Sequence, residues 1–237
     1  SCLDDEPDCI EARTVAVGPA FCGAAADFDP FEGSQAMTVK GTEELYLDEF
    51  YTIEARVFIR DYVRSGIIVD KYSGSGRGRE YRLSVNKEGL LRSWFSVDGT
   101  LNNSRTVLST VPVPKNRWVH VASAFDSRYV RLFIDGVQVS ERRIAGRPAQ
   151  LGYQNIAIGG NNCCRGFYEV LNGLIDEVRI STVARYRESF DVPRSEFEPD
   201  ANTQLLMHFT NGGENVGIIG GAVELTELDR ITACGER

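Results

Sequence analysis

The chain has 237 residues, 42% of them hydrophobic and 25% charged, with a formal net charge of -8 and an isoelectric point near 5.0. This balance suits one large globular domain and argues against nucleic acid, whose phosphates demand clustered Lys and Arg. No stretch approaches the roughly 18 consecutive apolar residues of a membrane span, so the acidity points to cations or neutral sugars as ligands, or to solubility alone.

The chain begins at Ser1 rather than Met and carries no signal peptide, as expected of a processed form. Residues 1–23 read as an acidic, aperiodic arm holding Cys2, Cys9 and Cys22; Cys163 and Cys164 are adjacent mid-chain, and Cys234 lies near the end. An even number of cysteines at the two ends, without a C-x-x-C pair, predicts disulfides that tie the terminal segments to the body. That implies an oxidising compartment, hence a secreted or cell-surface protein. Cys163 and Cys164 are expected to bond to separate partners, because a vicinal bridge strains the peptide between them. An alternative reading makes Cys2, after Ser1, the lipid anchor of a bacterial lipoprotein. Asn102-Asn103-Ser104 is a glycosylation sequon if the source is eukaryotic.

From residue 24 onward, period-two patterns alternate with turn residues, which predicts an all-β sandwich. Phe50 to Ile59 sets Ile53, Ala55, Val57 and Ile59 on one face and Thr52, Glu54 and Arg56 on the other. A short apolar strand over 66–72 follows, then a glycine-rich basic loop with Arg77 and Arg79. Tyr81, Leu83 and Val85 alternate with Arg82 and Ser84; Glu88-Gly89 turns the chain into a strand over 90–97 with Trp94 on its polar side. Two apolar runs over 118–122 and 129–134 are joined by Asp126, Ser127 and Arg128. Asp135-Gly136 then reverses the chain into Val137-Gln138-Val139, because this dipeptide accepts the positive φ of a tight hairpin turn. Strands are further expected over 155–159, 173–181 and 205–209, a helical turn over 182–189, and loop over 212–221.

Three of these segments resemble the laminin-G-like jelly rolls of the concanavalin A-like lectin-glucanase superfamily. FYTIEARVFI (50–59) looks like their F-T-I-x-x-W-V strand, and NRWVHVASAFDSRYVRLFIDG (116–136) like their W-x-H-V-A … Y-I-D-G hairpin. FYEVLNGLIDEVRISTVARY (167–186) is similar to their F-x-G-x-I-D-E-V-R-I segment. The resemblance, which extends from Ala26-Asp27-Phe28-Asp29 to the strand near 205–209, implies a two-sheet antiparallel jelly roll over 24–213. The arm (1–23) and a tail (214–237) would be tied back by disulfides. It also implies binding of carbohydrate or an extracellular protein, and often a structural calcium. In that family the aspartate at the position of Asp176 helps hold the ion with the loop near Asp27, Asp29 and Phe31.

Strand phase sets Asp176 inward with Leu174, Val178 and Ile180, where a carboxylate needs a metal, an arginine or backbone N–H groups, and it sets Glu177 at the surface. His120 and His208 are expected to be hydrogen-bonded core histidines. No G-x-S-x-G and no E-x-D-x-x-E pattern occurs, so neither a serine hydrolase nor a glycosidase is expected. Planar amides, arginines and an aromatic ring make two loops candidate ligand sites: Arg77 and Arg79 in one, and Asn161, Asn162, Arg165 and Tyr168 in the other. Trp94 is a candidate sugar platform or a core residue. The function expected is therefore non-catalytic recognition of a glycan; a structural or adhesive protein-binding module is the alternative, and a glycoside hydrolase the third reading.

Overall fold

The computed structural model describes residues 24–31, 36–72, 77–152, 154–163, 166–209 and 231–233, with the backbone alone at 162–163, 166–168 and 231–233. Cys2, Cys9, Cys22, Cys164, Arg165 and Cys234 lie outside the described residues, as does the side chain of Cys163.

The alternating segments become strands. The chain runs β1 (Ala24–Phe28), β2 (Met37–Val39), β3 (Phe50–Ile59), β4 (Gly66–Tyr72), β5 (Arg79–Val85), β6 (Leu90–Ser96), β7 (Ser104–Pro112) and β8 (Trp118–Asp126). It continues with β9 (Tyr129–Ile134), β10 (Val137–Arg143), β11 (Ile156–Ile158), β12 (Asn161–Cys163), β13 (Gly166–Tyr168), β14 (Gly173–Ser181), β15 (Thr203–Met207) and β16 (Ile231–Ala233). The larger sheet has the order β10-β9-β8-β3-β14-β1-β16, with β15 also pairing β14. The smaller has the order β2-β11-β4-β5-β6-β7, and β12 and β13 form a separate hairpin. Strands neighbouring in a sheet are antiparallel. This is the two-sheet jelly roll that the sequence predicts.

The core lies between the sheets, because each strand turns its apolar alternate residues inward. Ile53, Ala55, Val57 and Ile59 of β3 and Val119, Val121 and Phe125 of β8 meet Tyr81, Leu83 and Val85 of β5 and Leu91 and Phe95 of β6. Within that core Ser123 of β8 donates a hydrogen bond to Ser93 of β6 at 2.8 Å, so two facing polar residues satisfy one another. β16 runs beside β1, with Ala24 opposite Ala233.

The helical turn expected over 182–189 does not form. A short turn at Glu43–Leu45 is the one helical piece among the described residues. Residues 182–202 instead cross the outer face of the larger sheet as an irregular strap, because its side chains have a surface to bury. Tyr186 and Phe190 stack with centroids 3.6 Å apart and pack on Ala122, Ala124 and Phe133. The strap is pinned where Thr52 Oγ1 accepts the Arg185 N–H and donates to the Val183 carbonyl. It is pinned again at the β9–β10 turn, where Phe190 N–H donates to the Gly136 carbonyl. Asp135 and Gly136 have φ of 49° and 74°, as the sequence predicts for this turn. A Cβ on Gly136 would lie 2.0 Å from the Phe190 carbonyl oxygen. Gly136→Ala is therefore expected to cost at least about 2 kcal/mol, through positive φ and the displaced strap. Urea unfolding would measure it.

Candidate functional site

The two outer faces of the sandwich differ, and each gathers polar side chains. On the larger sheet, beneath the strap, lies a buried ionic network centred on Glu54 of β3, which is fully buried. Its Oε1 accepts the Arg179 Nε–H at 2.8 Å; its Oε2 accepts the Tyr186 hydroxyl at 2.8 Å and meets His120 Nε2 at 2.9 Å. His120 is thus hydrogen-bonded and buried, as expected, but on the outer side of its sheet. Burial works against ionisation of Glu54, yet His120, Arg179 and Tyr186 outweigh it and hold the carboxyl below the usual range.

Next to this network the strand phase changes. Asp176 pairs with Arg56 and Arg179 with Glu54, so two residues of β14, Glu177 and Val178, stand against the single Ala55. Glu177 has φ of 56° in this bulge. The bulge corrects the expected faces. Ile175, Val178 and Ile180 enter the core, whereas Asp176 is buried on the outer side, and Glu177 is fully buried rather than at the surface. Glu177 accepts the Phe197 N–H at 2.6 Å and meets Nδ1 of His208. Asp176 Oδ1 accepts the Glu177 N–H at 2.8 Å, and its Oδ2 has no hydrogen-bond partner. Burial, then the charge of Glu177, pushes Asp176 up to about 7.

The expected calcium donors are placed apart. Arg60 holds Asp27 at 2.7 Å, and Asp29 caps the Phe31 N–H at 2.8 Å. The register sets Asp27 opposite Leu174 and Asp176 opposite Arg56. The three carboxylates do not converge into one donor set among the described residues, so these side chains alone do not fit calcium, which takes six to eight oxygens.

The smaller sheet presents a different surface. Its register draws Asp70, Arg82, Trp94 and Thr106 into one row across β4, β5, β6 and β7. Arg82 grips both oxygens of Asp70, at 2.9 and 3.2 Å, and Glu169 at 2.7 Å. Its guanidinium carbon sits 4.8 Å from the Tyr72 ring centroid, and that of Arg79 sits 5.2 Å away. The half-buried Tyr72 ring is backed by Trp94 in an edge contact at 5.9 Å, and its hydroxyl accepts the Arg79 Nε–H at 2.8 Å. On the next row Arg92 donates its Nε–H to Ser84 Oγ at 3.2 Å. Its Nη groups carry no protein acceptor among the described residues. Burial and the charge of Arg82 make Arg92 less basic than usual. This face thus offers guanidinium donors, a carboxylate acceptor and an aromatic ring, which is the chemistry that recognises vicinal hydroxyls or a carboxylate.

Of the expected ligand residues, Arg79 lies in this cluster. Arg77 is exposed nearby, with its carbonyl close to the Gly99 turn. Asn161 is buried, and its Oδ1 has no hydrogen-bond partner. Asn162 and Tyr168 lie in the β12–β13 hairpin, which leads directly to Glu169, but their side chains are outside the described residues. Trp94 is 8% exposed, so it is the support of the Tyr72 ring rather than an open platform. Tyr72, Arg82, Arg92 and Glu169 were not marked by the sequence. A separate rim cleft of about 700 Å³ is lined by Glu43, Asp48, Glu49, Phe50, Arg147 and others, and there Asp48 engages the arginine.

The sequence profile of the concanavalin A-like lectin/glucanases superfamily matches residues 31–189. The chain belongs to this superfamily. Solved structures with the same fold include a putative carbohydrate binding protein from Bacteroides ovatus, 16% identical with a TM-score of 0.57. That match covers 84% of this chain and 56% of the Bacteroides ovatus chain, so this chain spans little more than half of its length. A Ruminococcus gnavus sialidase CBM40 bound to α2,3-sialyllactose is 15% identical with a TM-score of 0.50, covering 67% of this chain and 90% of that one. Domains LG4-5 of the mouse laminin α1 chain are 15% identical with a TM-score of 0.51, covering 71% and 44%. At such identities the likeness is one of fold. No curated protein sequence matches the chain. No helix among the described residues is long and apolar enough to cross a membrane.

Proposed function

We propose that this chain is a non-catalytic carbohydrate-recognition module that receives a glycan on the outer face of its smaller sheet, at Tyr72, Arg79, Arg82, Arg92 and Glu169. The observation that carries this reading is Arg92, a half-buried residue in the row next to Arg82 and Trp94, whose Nη groups have no protein acceptor among the described residues. A half-buried arginine whose terminal donors are not taken up by the protein is placed to give them, as charge-assisted hydrogen bonds, to a hydroxyl- or carboxylate-bearing ligand. The carbohydrate-binding character of proteins with this fold supports the reading. The cysteine pattern supports a secreted or cell-surface setting, with the arm and tail as stapled extensions of the domain.

A glycan array of neutral and acidic sugars, followed by calorimetry with the best ligand, tests it. Arg92→Ala is expected to weaken binding about 10–100-fold, the worth of a charge-assisted hydrogen bond to ligand, while the melting temperature stays near that of the parent. Binding that survives Arg92→Ala and Arg79→Ala would rule this face out. An empty array together with tight binding to an extracellular protein would favour an adhesive module.

A further inference from the structure

We propose that Glu177, Glu196 and His208 form a binding site for one first-row divalent transition metal of the Zn²⁺ type, which clips the strap to the larger sheet. Their donor atoms all lie within 4.8 Å of one another. They come from three separate segments: the β14 bulge, the strap, and the residue after β15. Modest side-chain adjustment brings them to the separation of about 3.4 Å that a tetrahedral ion with bonds near 2.1 Å requires.

A second observation points into the same place. Asp176 is fully buried and interacts electrostatically with Glu177 and His208; the Phe209 N–H is near enough to favour its charged form, but Oδ2 receives no hydrogen bond of good geometry. The Glu177–His208 contact satisfies those two residues but leaves this oxygen under-satisfied, which is costly in a buried position. A metal ion, or a water bound to it, supplies what is missing. Asp176 and Glu177 also act on the buried guanidinium of Arg56, whose Nη2 donates to the Pro193 and Ser195 carbonyls and so ties the strap down beside the three ligands.

The donor set decides the metal class. Imidazole with carboxylates suits zinc and its neighbours, whereas calcium takes oxygens alone. With ligands from the sheet and the strap, the ion closes a long loop and adds to stability rather than to chemistry. The site is on the sheet opposite the proposed glycan face and stands independently of it.

The test uses the whole chain, stripped by chelator and kept non-reducing, titrated with Zn²⁺ by calorimetry and with Co²⁺ by absorption. Expected are one equivalent bound at micromolar affinity or tighter, a raised melting temperature, and a Co²⁺ spectrum without a thiolate charge-transfer band, which sets the cysteines aside. His208→Gln and Glu196→Gln should each weaken binding at least about tenfold. Glu196→Gln changes a strap residue and spares the buried pair, so it keeps the test open if His208→Gln fails to fold. No Zn²⁺ uptake by the parent, uptake unchanged in both variants, or stabilisation by Ca²⁺ with none by Zn²⁺ would each overturn the proposal.

Discussion

Glu54→Gln is expected to lower stability by about 3–5 kcal/mol at pH 7, the usual cost of breaking a buried ion pair from one side. Glu54 is fully buried, and its two oxygens receive Arg179, Tyr186 and His120. Glutamine keeps the shape but offers one oxygen, and its amide N–H₂ then faces donors. Arg179 loses its counter-charge where its guanidinium lies 4.3 Å from the Phe197 ring centroid, under the strap. The pH dependence follows from the depressed pKa of Glu54. A carboxyl held below its ordinary 4.5 contributes stability above that pH and loses it as pH falls through the folded-state value. The gap between parent and variant should therefore be widest near neutrality and narrow below about pH 4.5. Denaturant unfolding from pH 7 to pH 3 measures it; a constant gap across that range would contradict the network.

Arg82→Met is expected to damage the smaller sheet and its ligand face together. The substitution leaves Asp70 fully buried without its bidentate partner and frees Glu169 from the face. The cost should be about 2–4 kcal/mol at pH 8. Burial already lifts Asp70 to about 6 against the pull of Arg82, well above its ordinary 3.8. A carboxyl whose folded value is raised contributes most below its unfolded value, and that contribution fades as pH rises through the folded one. Without Arg82 the folded value climbs further, so the variant should be closest to the parent near pH 5 and furthest from it at pH 8. Melting temperatures at the two pH values give the comparison, and an equal loss at both would show that Asp70 does not depend on Arg82.

The larger outlines of the fold were legible because they rest on period two. The phase of 50–59, the Asp135-Gly136 turn and the alternation over 81–85 all correspond to strands, turns and buried faces in the structure. What escaped depends on two-sided burial and on register. Residues 182–189 read as a helical turn because nothing local reveals that Tyr186 and Phe190 have a sheet to cover. Glu177 read as exposed because a single-residue bulge inverts the phase of a strand without marking the sequence. The arginine face was half visible. Pairing 79–85 with 90–96 across the Glu88-Gly89 turn sets Ser84 against Arg92 and Arg82 against Trp94, so the hairpin register alone could have drawn both arginines to one side. Asp70 and Glu169, brought in from β4 and from beyond the β12–β13 hairpin, carried no such signal.

Sugar-dependent fluorescence locates the glycan directly, because the chain has two tryptophans on opposite outer faces. Trp94 backs the Tyr72 ring on the smaller sheet, and Trp118 packs against Phe58 on the larger. Titrating the best array ligand into Trp118→Phe should reproduce the parent's emission change, while Trp94→Phe should abolish the signal even where calorimetry still detects binding. A signal that follows Trp118 instead would place the ligand on the strap side of the sandwich and contradict the assignment of the arginine face.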